Sequence, residues 1–156
     1  MQHYDLYNSP IGTLWLAGRN GALSSLSFVK PSGDFLPGSF DAVKCWLDDY
    51  FHGIPREIDF SIDPSGTPFQ MLIWKLLLQI PYGRTCTYGQ LAKQAAALAG
   101  KEKMSPQAVG QAAGRNPIAI IIPCHRVVGA KGKLTGYAYG LDRKQWLLEH
   151  ELKWEE

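Results

Sequence analysis

Cys124 and His125 stand side by side in the run Pro123-Cys124-His125-Arg126-Val127, which puts a thiol next to an imidazole. The pair suits nucleophilic chemistry: thiolate is the reactive form of cysteine, and a nearby base raises its share near neutral pH. Neighbours in sequence do not face each other, because successive side chains point to opposite faces of a strand or about 100° apart around a helix. Coupling between Cys124 and His125 is therefore expected to run through a bridging water. By type alone a free cysteine is more often inert core filling than nucleophile. The context raises it: a proline closing the preceding apolar run, the adjacent Arg126, and a downstream His150-Glu151 pair that could orient an imidazole.

The elements that must position this pair follow from pattern. Ile118 to Ile122 is short, β-branched and closed by Pro123, which predicts a buried strand whose end delivers Cys124 and His125. Upstream, Phe69, Leu72, Ile73, Leu76, Leu77 and Ile80 form one apolar stripe, so a core helix is predicted from Phe69 to Ile80, ended by Pro81-Tyr82-Gly83. Thr87 with Gln90 three residues on has capping-box spacing and opens a helix to about Leu98. Ser105-Pro106 supplies an N-cap and first-turn proline for a second helix, Pro106 to about Ala113. Two short helices so close together resemble a helix-turn-helix.

That second helix is lean, with Ala108, Gly110, Ala112, Ala113 and Gly114. An ordinary helix of ~10–12 Å diameter does not fit a minor groove ~6 Å wide. One stripped to Ala and Gly could enter a widened groove; equally, small residues let a helix pack close to its neighbour, and spacing alone favours neither reading. A last helix is predicted over Asp142 to Glu151, with Trp146, Leu147 and Leu148 buried.

The first 65 residues read differently. Strand-like segments His3 to Tyr7, Gly12 to Ala17 and Leu23 to Val29 are separated by turn residues, and Asn20-Gly21 is a hairpin signal because both tolerate positive φ. Phe40 to Phe51 carries apolar residues at helical spacing, with Ser39 as its N-cap, Gly53 as its stop, and Cys45 and Trp46 in the core. Glu57 to Ile62 is expected to be a short strand. Asp63-Pro64-Ser65-Gly66-Thr67-Pro68 reads as a linker dividing the chain into domains 1–65 and 66–156.

Composition narrows the function class. With 156 residues, 46% of them hydrophobic, the chain can build one core or a small domain packed on a larger one. No apolar run approaches the roughly 18 residues of a membrane span, and the N-terminus lacks a signal-peptide pattern, so a soluble, cytoplasmic protein is expected. Three cysteines without CxxC spacing suggest neither a disulfide framework nor a zinc site. Up to Ser65 there are four Lys or Arg against eight Asp or Glu, and from Gly66 onward twelve against six. The basic half carries Cys124, which points to an anionic partner such as nucleic acid, although solvated lysines are the commoner cause of a modest excess.

Five ordered stretches together resemble one known family. Thr87-Tyr88-Gly89-Gln90-Leu91-Ala92, Ala108-Val109-Gly110, Gly114-Arg115-Asn116-Pro117, Pro123-Cys124-His125-Arg126-Val127 and the segment from Gly140-Leu141 to His150-Glu151 are similar in type and spacing to the methylated-DNA–protein-cysteine methyltransferases. These are the O6-alkylguanine-DNA alkyltransferases that repair alkylated bases. The likeness covers residues 66 to 151; over residues 1 to 65 it rests on the order strand, strand, strand, helix.

The resemblance implies an α+β two-domain fold: an N-terminal ribonuclease H-like α/β domain, then a helical domain with a helix-turn-helix of winged-helix type. It makes Cys124 the alkyl acceptor, His125 its water-mediated base and Glu151 the carboxylate that orients His125. It makes Tyr88 the residue that helps rotate the target nucleotide and protonates the leaving guanine, and Asn116 the hinge between recognition helix and active-site loop. Backbone groups of Cys124 and Val127 would hold the flipped base, and Gln107, Ala108, Gly110, Arg115, Arg126, Tyr137, Ala138 and Tyr139 would contact DNA or base. The implied partner is alkylated double-stranded DNA met through the minor groove by a monomer. The implied reaction is an irreversible, stoichiometric transfer from O6-methylguanine, and from O4-methylthymine, with no cofactor or metal.

Two positions depart from the family pattern. Gln107 stands where relatives usually have an arginine to fill the gap left by the flipped base, and it lacks charge and a guanidinium plane. Tyr139 stands where relatives often have glycine beside the pocket, and its ring is expected to crowd bulky adducts. Two other readings compete: a hydrolase built on Cys124, His125 and Glu151, and a non-catalytic binder of alkylated DNA.

Overall fold

In the computed structural model, which describes residues 2–153, the turn residues organise the N-terminal half as their chemistry dictates. Asn20 and Gly21 take φ of 54° and 78°, the left-handed backbone that a tight hairpin needs. Strands β1 (His3–Ser9), β2 (Gly12–Arg19) and β3 (Ala22–Ser27) form an antiparallel meander, and β4 (Leu36–Pro37) adds in parallel to β1, giving the order β3-β2-β1-β4. Leu14 and Leu16 of β2 and Leu23 and Leu26 of β3 are buried in one core with helix α1 (Asp41–Phe51), which presents Val43, Trp46, Leu47 and Tyr50.

The C-terminal half is built on helices α2 (Pro68–Leu77), α3 (Tyr88–Ala99) and α4 (Pro106–Gly114), with α5 (Leu141–Lys153) closing the chain. Thr87 and Gln90 form the expected reciprocal capping box on α3, and Ser105 caps α4 through its hydroxyl to the Ala108 N–H with Pro106 in the first turn. Gly100, at φ 69°, ends α3 in the left-handed conformation. Helices α2, α3 and α4 pack on one another, and the Trp74 indole donates to the Ala112 carbonyl at 2.8 Å. A two-residue parallel pair, β5 (Cys86–Thr87) with β6 (Val127–Val128), ties the start of α3 to the chain just beyond Cys124. Among the described residues no helix is long and apolar enough to cross a membrane.

Several expectations are corrected. Ile118–Pro123 is buried but is not a strand: only Ile118 bridges to Leu26, and the chain then turns tightly, with Ile120 at φ 70°. Its backbone bonds are local, Ile121 N–H to Ala119 O at 2.7 Å, Ile122 N–H to Ile118 O at 3.0 Å and Cys124 N–H to Ile122 O at 2.8 Å. Glu57 to Ile62 contributes a single parallel bridge, Ile62 with Leu23, rather than a strand. Ser39 does not cap α1; Phe40 holds that position with no side-chain cap, and the Ser39 hydroxyl pairs with Asp41 instead. Cys45 is exposed because it falls off the face defined by Val43, Trp46, Leu47 and Tyr50. Helix α2 starts at Pro68 and ends at Leu77, opened by a second capping box, Thr67 with Gln70. Trp146 and Leu148 of α5 are half-buried, whereas Lys144, Leu147, His150 and Glu151 form its inner face. The expected C-terminal unit, 66–156, ends in residues 154–156, which lie outside the described residues.

Candidate active site

Asn116 follows α4 and is almost fully buried. Its amide uses both ends: Nδ2 donates to the Ile122 carbonyl at 2.7 Å, and Oδ1 accepts from the Ile118 N–H at 2.9 Å. The turn that precedes the nucleophile is thereby fastened to the end of α4. After Pro123 the chain makes one 3-10 turn, Cys124–Arg126, and this single turn separates the two neighbours as sterics requires. Cys124 is partly exposed and opens onto a cavity, whereas His125 is fully buried and points inward.

His125 Nε2 lies 2.6 Å from Glu151 Oε2. Glu151 is itself 1% exposed and is met by four further donors. The same Oε2 accepts from Tyr50 Oη at 2.7 Å and Arg126 Nη2 at 3.1 Å, while Oε1 accepts from Arg126 Nε at 2.8 Å and the Gly83 N–H at 3.0 Å. Burial pushes the Glu151 carboxyl up, but the hydrogen bonds and charge of His125 and Arg126 outweigh it and hold the group well below the usual carboxylate range. Burial pushes His125 down, Arg126 and Lys144 push it the same way, and the pull of Glu151 recovers only part. The imidazole is therefore neutral near pH 7. An ionised carboxylate can only accept, so Nε2 carries the proton and Nδ1 is left as a lone-pair acceptor, buried and without a protein partner among the described residues.

The Cys124 thiol is raised by burial, an effect that the Asn116 amide and the Lys144 charge only partly offset. It rests as a thiol, so it needs a base at the moment of attack. The adjoining cavity, about 200 Å³, is lined by Tyr88, Gly110, Ala113, Gly114, Gly136, Tyr137 and Ala138 around Cys124. Lys144 supports its wall: fully buried, its Nζ donates to the carbonyls of Thr135 and Gly136 at 2.9 and 3.1 Å and lies 5.8 Å from the centroid of the Tyr88 ring. Among the described residues no group of three His, Cys, Asp or Glu is arranged to hold a metal ion.

Of the residues singled out from sequence, Cys124, His125, Glu151, Tyr88, Asn116, Gly110, Tyr137 and Ala138 converge on this site. Gln107 and Arg115 are exposed on the first and last turns of α4 and Ala108 is half-buried there, none of them lining the cavity. Arg126 is a correction: it does not face outward for DNA but is buried on Glu151 and the Ile80 carbonyl, where a charge next to the nucleophile finds its counter-charge. Val127 is buried, its N–H spent on the Cys124 carbonyl. Tyr139 sits one layer out, its ring 5.1 Å from Phe28 and edge-on to Tyr137 at 5.7 Å. Sequence reasoning missed Tyr50, Gly83 and Lys144. Lys144 left a signal, since it shares the inner stripe of α5 with Leu147 and Glu151; the other two did not.

The family model described as "6-O-methylguanine DNA methyltransferase, DNA binding domain" matches residues 68–153, and the one described as "6-O-methylguanine DNA methyltransferase, ribonuclease-like domain" matches residues 2–64. The chain belongs to the 6-O-methylguanine DNA methyltransferase family. Its relatives include the methylated-DNA–protein-cysteine methyltransferase of Mycobacterium tuberculosis, 47% identical with 97% of this chain and 93% of that protein covered. That of Methanosarcina acetivorans is 45% identical, with 96% and 97% covered. Among solved structures, the M. tuberculosis O6-methylguanine methyltransferase superposes with a TM-score of 0.87 at 44% identity, covering all of this chain and 96% of that one. M. tuberculosis OGT in complex with DNA gives 0.87 at 46% identity, with 97% and 93% covered. The α+β organisation, a ribonuclease-like sheet-and-helix half followed by a helical DNA-binding half, is that of the 6-O-methylguanine DNA methyltransferases.

Proposed function

We propose that this family member repairs alkylated duplex DNA by moving the alkyl carbon from guanine O6 onto Cys124 Sγ. The observation that carries the reading is the relay Glu151–His125, which leaves a neutral imidazole whose buried Nδ1 has no protein partner among the described residues, next in sequence to a thiol that lines the cavity. Through a bridging water, Nδ1 takes the proton of Cys124; Sγ then attacks the alkyl carbon in line, and the C–O6 bond breaks. Guanine departs as an amide-like anion, and the Tyr88 hydroxyl at the cavity wall supplies the proton that neutralises it. The product is an S-alkyl thioether. It has no good leaving group, so each molecule reacts once.

The cavity, about 200 Å³, is smaller than most small-molecule pockets, at about 300–1,000 Å³, and suits one extruded base. Flipping that base costs a few kcal/mol, less for a weakened pair. The lean surface of α4, with Gly110, Ala113 and Gly114 toward the cavity, supports approach through the minor groove, and O4-methylthymine presents the same alkyl ether to the thiol. We assign residues 1–65 and 66–156 as two units of one monomer working inside the cell.

Incubation with a duplex carrying one O6-methylguanine is expected to add about 14 Da, one methylene equivalent, to the Cys124 peptide and to stop at one equivalent. Cys124→Ser should gain nothing and leave the lesion in place. Repeated turnover of an activated ester would make the site a hydrolase, and tight binding without mass gain would make the protein a reader.

Two further outcomes concern the departures from the family pattern. Gln107 is solvent-facing on the first turn of α4, so Gln107→Arg should strengthen binding to methylated duplex and speed repair; unchanged values of both would refute its proposed gap-filling role. Tyr139 bears on the cavity through Tyr137, with Phe28 behind it. In Tyr139→Gly the Tyr137 ring loses its support, and benzyl transfer should rise relative to methyl transfer. Equal benzyl-to-methyl ratios in the two proteins would remove this idea.

A further inference from the structure

We propose that Tyr50, contributed by α1 of the N-terminal half, is a positioning residue for the reaction at Cys124, acting through Glu151 on the basicity and aim of His125. The proposal rests on the alkyl-transfer reading of Cys124. Tyr50 Oη donates to Glu151 Oε2 at 2.7 Å, the same oxygen that His125 Nε2 meets at 2.6 Å. The backbone of Tyr50 takes part as well, its carbonyl lying 2.7 Å from His150 Nε2. The ring is held on three sides, stacked on Trp46 at 5.6 Å and 11°, and edge-on to Tyr82 at 5.7 Å and Phe51 at 5.1 Å. Such a clamped hydroxyl is an aimed donor rather than a mobile one.

Three donors, Tyr50 Oη, His125 Nε2 and the more distant Arg126 Nη2, compete for the electron density of Oε2. When His125 takes the thiol proton, its Nε2–H bond to Oε2 becomes charge-assisted and strengthens. The Tyr50 hydroxyl holds that oxygen in line and, by drawing on the same lone pairs, keeps His125 less basic than a carboxylate with fewer donors would make it. Burial and the Glu151 charge raise the phenol well above its ordinary range, so it remains a donor throughout. The charged and titratable groups facing this relay are Arg126 of the same turn, Lys144 of α5, and Tyr82, with His150 against Tyr50 itself.

Tyr50→Phe removes one hydroxyl while keeping the ring stack and the carbonyl. Protonated His125 cannot accept the thiol proton, so the rate of Cys124 modification falls on the acid side of its pH profile with the pKa of the thiol–imidazole pair. Tyr50→Phe is expected to move that limb up by about 0.5–1 pH unit, a loss of about threefold to tenfold at a pH on the limb. The profile is read twice on the whole protein, by mass of the Cys124 peptide after iodoacetamide and after O6-methylguanine duplex, with Trp46→Phe as a packing control. A limb shifted by Tyr50→Phe with both reagents, and not by Trp46→Phe, supports the proposal. A shift with iodoacetamide alone, the wild type failing to take methyl from DNA, supports the role of Tyr50 and removes the alkyl-transfer reading. An unshifted limb in a folded Tyr50→Phe protein, or an equal shift in Trp46→Phe, overturns it.

Discussion

Replacing Glu151 by Gln is expected to slow Cys124 alkylation by about 10²- to 10⁴-fold, the range set by losing an orienting carboxylate behind a histidine base. It should also destabilise the fold by about 3–5 kcal/mol, since a buried cation is left without its partner. Five donor groups converge on the two oxygens of Glu151, from His125, Arg126, Tyr50 and Gly83. A carboxamide offers one acceptor oxygen, and its NH2 confronts donors on the other side. Arg126, also buried, loses its counter-charge and keeps the Ile80 carbonyl and at most one bond to the remaining oxygen. The imidazole then loses the group that fixes its Nε2–H tautomer, and with it the lone pair that Nδ1 offers as a base.

The pH dependence separates this charge from packing. A carboxylate whose folded pKa lies below its unfolded value contributes stability that is complete above the unfolded pKa, about 4.3, and is lost as pH falls toward the folded one. Glu151 is depressed in this sense, so the stability gap between wild type and Glu151→Gln should narrow below about pH 4. His125, held neutral by burial, adds an earlier loss: the unfolded chain binds its proton below about pH 6.5 while the folded one does not. Denaturant midpoints at pH 7, 5 and 3.5 check both. A gap that stays constant down to pH 3.5 would show that Glu151 contributes shape rather than charge.

The chain announces its nucleophile far more clearly than the support around it. The divergence of Cys124 and His125 follows from backbone geometry and is seen as one side chain at the cavity and one in the core. The capping boxes and Ser105-Pro106 are local chemistry, so α3 and α4 start where their residues say. The resemblance implied that Glu151 serves His125, and the two are in contact across 26 residues. The resemblance implied a DNA or base contact for Arg126, but its charge is spent inside the fold on a carboxylate 25 residues away. Tyr50 lies 101 residues from Glu151 in sequence and looks like one more apolar position on α1. Ile118–Pro123 misled for another reason: apolar β-branched runs report burial, not conformation, and a side chain outside the run had taken the backbone groups that a strand would have paired.

That side chain sets the other large effect. Asn116→Ala removes the donor on the Ile122 carbonyl and the acceptor for the Ile118 N–H, both on fully buried residues. Each orphaned group costs about 1–3 kcal/mol, so a loss of about 2–5 kcal/mol is expected by denaturant unfolding. Ile120 is a β-branched residue at φ 70°, a conformation that persists only where its surroundings over-determine it. Once the Asn116 clasp is gone, the turn can relax and carry Cys124 with it. A misplacement of about 1 Å costs on the order of 10²-fold in rate. Asn116→Asp distinguishes aim from electrostatics. It keeps the acceptor for Ile118 but turns a carboxylate toward the Ile122 carbonyl, and it replaces an amide that favours the Cys124 thiolate with a charge that opposes it. The iodoacetamide profile should therefore move to higher pH in both variants, further in Asn116→Asp, whereas Asn116→Ala should in addition drop in height across the range. Wild-type alkylation rates in Asn116→Ala would mean that the turn holds its shape through packing alone and that the amide positions nothing.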